Sequence, residues 1–263
     1  MNSKSRFPTR LPPLTVGNRI PEVRNQSAHQ NSRDTQPLPY WGDNDGFSSD
    51  RYRLSMVQLI KKSGVDDEAV LKAMLKVERH RFVDSALRMQ AYEDTSLPIG
   101  SGQTISKPNV VARMLALLMQ APIRLQQGFH SRVMEIGTGC GYQAAVLSLL
   151  CKEIYSLERI KELHLKAKSN LRPFRIPNIH LLFRDGAQGY ESGAPFSGMI
   201  SAAGAEHLPK IWIDQLSIGG RLVAPVQNAS CKQNLLVIDR LATGYSETIL
   251  EDVHFVPLKS GLE

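Results

Sequence analysis

A chain of 263 residues with 42% apolar and 22% charged side chains has the composition of an ordinary globular protein, and its length suits one domain with an extension. No apolar run reaches the roughly 18 residues a membrane span needs, which excludes a transmembrane helix. The net charge of +7 is mostly local: Lys4, Arg6, Arg10, Arg19, Arg24 and Arg33 stand against Glu22 alone, the remainder is nearly balanced, and the folded part therefore carries no nucleic-acid footprint.

Residues 1 to 48 are rich in Pro, Asn, Ser, Gln and Arg without a sustained apolar period, and are expected to form a disordered, dispensable tail. They lack the continuous apolar core of a secretory signal and resemble a transit peptide only faintly. Residues 49–263 are expected to form one domain, helical over 49–125 and built on a sheet over 126–263. One helix should run from Asp50 through Lys62. A second should start at Asp66, a good N-cap, and run through Val77 with Val70, Leu71, Met74 and Leu75 inward. A loop-rich stretch from His80 to Gln103 precedes a third helix, which Ser106 can cap. Pro108 is tolerated in its first turn, and Val110, Val111, Met114, Leu117 and Leu118 form its apolar face.

From Arg132 onward short apolar runs alternate with helical patterns, the signature of an α/β fold with a mostly parallel sheet covered on both faces. Strands are expected near 132–136, 153–157, 179–183, 197–201 and 220–225, and helices near 143–151, 160–172 and 207–216. Two last strands near 234–240 and 247–255, joined at Thr243-Gly244, read as an antiparallel hairpin. In such sheets a ligand sits beyond the carboxyl ends of the strands. That rule collects the turn at Gly137 to Gly141, Glu158, Asp185-Gly186 and Ser201-Ala202-Ala203.

The turn itself is Glu135-Ile136-Gly137-Thr138-Gly139-Cys140-Gly141-Tyr142 between a strand and a helix. Tyr142 stands where a dinucleotide fingerprint has its third glycine, so the spacing suits a nucleoside rather than a pyrophosphate. Glu158, about 20 residues on, is placed to accept both ribose hydroxyls. Together they point to S-adenosyl-L-methionine (SAM). Cys140, Cys151 and Cys231 are odd in number, lack metal spacing and read as reduced thiols, as in the cytoplasm. Cys140 is read as a small residue filling the turn. His80, His130, His164, His180, His207 and His254 show no ligand spacing, are expected at the surface or in loops, and imply no metal.

Four blocks resemble one family, the protein-L-isoaspartate O-methyltransferases, over about Arg79 to Leu258. They are Ala91 to Gly100 continuing through Gly102-Gln103-Thr104-Ile105-Ser106, the glycine turn through Gln143, Tyr155-Ser156-Leu157-Glu158-Arg159, and Gly219 to Val226. Other SAM methyltransferases share the turn, whereas the L-P-I-G-x-G-Q-T-I-S run is peculiar to this family. The resemblance implies a Rossmann-like SAM-dependent methyltransferase fold. It implies methyl transfer to the free carboxylate of L-isoaspartyl residues in damaged proteins and peptides, after which the ester collapses to a succinimide. A carboxylate with a pKa of about 4 is already an anion and needs no general base, so positioning is the task.

By the same resemblance Ser106 is the catalytic residue, and Thr104, Leu97, Pro98, Ile99, Pro225 and Val226 belong to the substrate side. Glu135, Gly137, Thr138, Gly139, Gly141, Glu158, Asp185 and Gly186 surround the cofactor. Asp94 is read as a loop-ordering acceptor. The chain departs from the pattern at Ser197-Gly198, which is expected to loosen a strand, at Gln227 and at Gly204-Ala205-Glu206. Two alternatives stand beside this reading: a SAM methyltransferase of a small molecule or RNA, and a catalytically silent SAM-binding module.

Overall fold

The computed structural model describes residues 49–263, with the side chain of His130 excepted, and the expected disordered tail lies outside the described residues. Helices come first, with α1 at Asp50–Lys62 and α2 at Glu68–Lys76. The side chain of Asp67 accepts hydrogen bonds from the backbone N–H groups of Ala69 and Val70, both at 3.0 Å. The cap is thus Asp67 and not Asp66, because Asp67 has the extended backbone that lets an N-cap side chain fold back on the first turn. Val70, Leu71 and Met74 are buried as expected, while Leu75 remains 37% exposed.

The stretch expected as loop holds two 3-10 helices, Arg79–Phe82 and Ser85–Tyr92. A hairpin follows, formed by β1 (Leu97–Gly100) and β2 (Gln103–Ile105). Segments this short carry no measurable period, so sequence patterning cannot show them. His80 is buried here with Nδ1 2.6 Å from the Tyr92 hydroxyl, and His164 is buried as well, so neither is the surface residue expected.

Helix α3 (Pro108–Met119) starts from Lys107, and no side chain caps it at that position. Ser106 is therefore not its cap. Instead Asp94 reaches across from the preceding loop, and its carboxylate accepts the N–H of Asn109 at 3.0 Å. A short helix, α4 (Pro122–Gln127), buries no side chain and left no apolar signal.

The second sheet has seven strands: β3 (His130–Ile136), β4 (Cys151–Glu158), β5 (Ile179–Phe183), β6 (Phe196–Ser201), β7 (Leu216–Gln227), β8 (Gln233–Arg240) and β9 (Tyr245–Val253). Their spatial order is β5-β4-β3-β6-β7-β8-β9. Pairing is parallel from β5 to β7 and antiparallel from β7 to β9. Helices α5 (Tyr142–Ser148), α6 (Lys161–Leu171) and α7 (Lys210–Asp214) connect the parallel strands. Helix α7 is shorter than expected because Pro209 precedes it and forces its neighbour out of helical geometry. The chain moves outward from β3 to β5, then returns to place β6 on the other flank of β3. That reversal opens a crevice at the carboxyl ends of the strands.

Two contacts fix helices to this sheet. Arg221 on β7 forks onto both carboxylate oxygens of Asp239 at 2.7 Å and donates to the Leu117 carbonyl of α3 at 2.9 Å. Arg113 of α3 pairs with Glu251 of β9 at 2.9 Å. At Ser197-Gly198, where a loosened strand is expected, the ladder to β7 shifts register between Phe196 and Gly198, yet all six β6 residues are buried and the Ser197 hydroxyl donates to the Arg132 carbonyl at 2.8 Å. A serine with a local acceptor fits this dry position without the desolvation that a carboxylate would bring.

Replacing Asp67 by Ala is expected to lower stability by about 1 kcal/mol through loss of the cap. Asp66→Ala should stay within about 0.5 kcal/mol of the parent. Urea unfolding of both variants checks the assignment.

Candidate active site

The glycine turn leaves β3 at Ile136 and wraps the carboxyl end of β4, with Gly137 N–H bonded to the Leu157 carbonyl at 2.9 Å. Glu158, the last residue of β4, closes the wrap. One of its oxygens accepts Gly139 N–H at 2.8 Å and the other accepts Ile160 N–H at 3.0 Å. Gly139 has φ +56°, and a Cβ there would come 3.1 Å from the Ile99 side chain, so a side chain at this position would press on the hairpin. Tyr142 is fully buried behind the turn, packed edge-on to Phe82. It fills the space that a third glycine would have opened.

Beneath the turn lies a closed polar network. Ser156 donates from its hydroxyl to the Glu135 carboxylate and lies 2.6 Å from the Thr138 hydroxyl. Burial pushes the Glu135 carboxyl up to about 8, against the opposing pull of the Ser156 hydrogen bond. Glu135 and its partners support the turn from within the sheet, and Glu135 lines none of the cavities described below. Burial also raises the Cys140 thiol, which leaves it a poor nucleophile, as its reading as a filler residue requires.

A cavity of about 370 Å³ opens above the turn, within the size range of small-molecule sites. Gly137, Gly139, Glu158 and Gly186 line one side, Ile99, Thr104 and Ala202 another, and Val256 to Lys259 a third. Trp212 of α7 donates to the Gly186 carbonyl at 2.8 Å and so holds that wall. Asp185 stands just outside. Its carboxylate accepts Ala187 N–H at 2.9 Å and Gly261 N–H at 2.7 Å. The last residues form a strap across this rim, with Arg159 donating to the Gly261 carbonyl at 2.8 Å and to Glu263 at 2.9 Å, and Lys161 N–H bonded to the Glu263 carbonyl at 2.7 Å.

A second cleft, of about 400 Å³, lies across the hairpin. Ser96, Thr104, Ser106, Lys107 and Arg113 face the segment from Glu251 to Val256. A narrow pocket of about 40 Å³ joins the two regions, bounded by Ile99, Thr104, Ser106, Gly137, Gly139 and Ala202. Thr104 borders all three spaces and Ser106 borders the cleft and the junction. The hairpin is held in place by α6, with Lys166 donating to the Ile99 carbonyl at 2.8 Å and the Ser101 hydroxyl to Glu162 at 2.8 Å.

The structure therefore brings Thr104, Ser106, Ile99, Gly137, Gly139, Glu158 and Gly186 together, while Thr138 borders the junction alone. It does not bring Leu97 or Pro98 to a wall. Strand alternation sends Leu97 into the core and leaves Pro98 exposed. Nor do Pro225 and Val226 reach a cavity, being paired with Leu235 and Asn234 of β8. Sequence reasoning missed the segment from Glu251 to Lys259 as a wall of the site, and the ion pair of Arg113 with Glu251. Gly204, one of the departures from the family pattern, clasps that segment, with its N–H on the Val256 carbonyl and its carbonyl accepting from Leu258, at 2.8 and 2.7 Å.

Comparison with known proteins gives the same picture. The profile of the family described as protein-L-isoaspartate(D-aspartate) O-methyltransferase matches residues 51–263. A protein-L-isoaspartate O-methyltransferase of Leptothrix cholodnii is 53% identical over 218 residues, covering 82% of this chain and 76% of that one. Another, from Methylibium petroleiphilum, is 46% identical over 268 residues, covering 98% and 97%. A crystal structure from Plasmodium falciparum, described as a protein-L-isoaspartate O-methyltransferase in complex with S-adenosyl-L-homocysteine, is 27% identical, with a TM-score of 0.68 over 79% of this chain and 98% of that one. A profile match along the whole described domain, and relatives about half identical to it, establish that the chain belongs to the protein-L-isoaspartate O-methyltransferase family.

Proposed function

We propose that this chain transfers a methyl group from SAM to the free carboxylate of L-isoaspartyl residues in damaged proteins and peptides, which initiates their repair. The observation that carries the reading is the junction. Thr104 and Ser106 stand where a cavity built on a glycine turn meets a cleft wide enough for a peptide side chain.

The residues fit the cofactor. Glu158 uses one lone pair of one oxygen on the turn at Gly139 and one of the other on Ile160 N–H ahead of α6, and each carboxylate oxygen can accept again, which leaves capacity for two ribose hydroxyls. Gly139 keeps a wall thin where a side chain would intrude, and Gly186 borders the end left for the base, with Asp185 just outside it. Bound there, SAM supplies an electrophilic methyl group next to a positive sulfonium. The chain's own work is placement. Ser106 donates its hydroxyl to the substrate carboxylate, Thr104 offers a second donor, and Ile99 with Ala202 keeps water from the junction. No base is required, and the junction holds none: Glu158 is committed to the turn and the Cys140 thiol is held protonated by burial.

Leu97, Pro98, Pro225 and Val226 act at one remove in this reading, by shaping the hairpin and the end of β7. Glu135 and Thr138 support the turn. No described helix is long and apolar enough to cross a membrane. Three free thiols support a cytoplasmic site of action.

Incubation with radiolabelled SAM and matched peptides is expected to put base-labile label on the L-isoaspartyl peptide alone. Label on none of the isoaspartyl, aspartyl and asparaginyl peptides, despite measured SAM binding, would remove the proposal. Ser106→Ala should lower kcat roughly ten- to a hundredfold, a loss of about 1.4 to 2.7 kcal/mol in transition-state stabilisation, with the Kd for SAM within about twofold. Equal losses in both would assign Ser106 to the fold. Glu135 binds its proton more tightly folded than unfolded, so its contribution to stability is full below about pH 4.5 and is lost as pH rises through about 8. Glu135→Gln should therefore flatten the decline of thermal stability between those limits, and an unchanged slope would count against the buried, protonated carboxyl.

A further inference from the structure

We propose that Arg79 is a further positioning residue for methyl transfer, holding the Ser106 peptide against the helix that follows the cofactor turn. The inference rests on the reading of Ser106 given above. Arg79 is completely buried. Its Nε donates to the Ala91 carbonyl at 2.8 Å and its Nη2 to the Ser106 carbonyl at 2.6 Å. The guanidinium lies over the Tyr142 ring, 4.8 Å from the centroid. Tyr142 is the first residue of α5, directly after Gly141.

Other buried arginines of this chain pair with carboxylates: Arg221 with Asp239, Arg113 with Glu251 and Arg53 with Glu78. Arg79 pairs with none among the described residues, and its Nη1 has no hydrogen-bond partner. A buried cation without a counter-ion is a poor way to stabilise a core, and a methionine would fill a similar volume without desolvating a charge. What a methionine could not do is join three separate segments. A planar group with donors on its edge and a π-stacking face engages two carbonyls and a ring at once.

The three segments are the parts the reaction needs in register. Ala91 lies in the last turn of the second 3-10 helix, which leads into the hairpin. Ser106 leaves the hairpin toward α3. Tyr142 carries the turn that shapes the cofactor cavity. By drawing the Ser106 carbonyl inward, Arg79 fixes the orientation of that peptide and so the direction in which the Ser106 hydroxyl can point. The same contact turns the negative end of the carbonyl away from the place of the acceptor carboxylate. A lysine preserves the charge but has neither the planar face nor the fixed fork.

The test is a double-mutant cycle on the full chain with an L-isoaspartyl peptide, read as kcat, peptide KM, SAM Kd and thermal midpoint. Arg79→Lys is expected to lower kcat at least about tenfold with the SAM Kd within about twofold; in a Ser106→Ala background the same change should lower kcat by less than about twofold, because the group it acts through is gone. Equal fold-losses in both backgrounds would overturn the proposal and leave the Ser106 reading intact. Full activity of Ser106→Ala would instead remove that reading, and the proposal with it. If Arg79→Lys does not fold, Tyr142→Leu, which removes the ring beneath the guanidinium, takes its place in the cycle with the same expectation. Loss of the folded state in both variants would make Arg79 a core residue only and overturn the proposal.

Discussion

The structure turns on the grip of Glu158 on the backbone of the glycine turn. A strand ending in a carboxylate meets the middle of that loop: one oxygen takes the Gly139 N–H at 2.8 Å, and the other takes the Ile160 N–H just ahead of α6 at 3.0 Å. With the Leu157 carbonyl, which accepts the Gly137 and Thr138 N–H groups, this grip offsets the conformational freedom that glycine loses on folding more than any other residue. The network of Glu135, Ser156 and Thr138 secures the same turn from below. The floor of the cavity above the turn is thus held by polar contacts within the chain itself.

A second layer brings the acceptor side to this rigid floor. The β1–β2 hairpin belongs to neither the main sheet nor the helical layer, yet it is tied to both: α6 holds its outer edge through Lys166 and Glu162, and Asp94 secures the start of α3 just beyond it. The far wall of the cleft comes from the end of the chain, pinned by Gly204 and by Gln233, which exchanges hydrogen bonds with Phe255. Three regions distant in sequence therefore meet at one junction. In a reaction that needs alignment more than acid or base, such a meeting is the main contribution that a protein can make.

The parallel strands were legible because strands buried on both faces appear as short, mostly apolar runs between helical patterns, as Ile154 to Leu157 does. The start of β7 was not: Gly219 and Gly220 read as its beginning, whereas the strand already pairs Leu216 with Phe196 and passes the glycines as an irregularity in register. Glu158, reached through its own chemistry, and Ser106, reached through the family resemblance, stand at the cavities. Those assigned by neighbourhood in a motif fared unevenly, because alternation along a strand separates Ile99 from Pro98 and parity decides which one meets a ligand. Contacts between remote segments are harder to read. Asp94 reads in the sequence as a loop-ordering acceptor, but its partner at the start of α3, the fork of Arg79 and the wall from Glu251 to Lys259 are properties of the folded chain.

The strap at the end of the chain has a practical side. Its hydrogen bonds terminate on Arg159, beside Glu158, and on Asp185, so whatever is appended after Glu263 emerges at the rim of the cofactor cavity. A purification tag or fusion partner joined there would stand at the mouth of that cavity, against the strap that Arg159 and Asp185 hold.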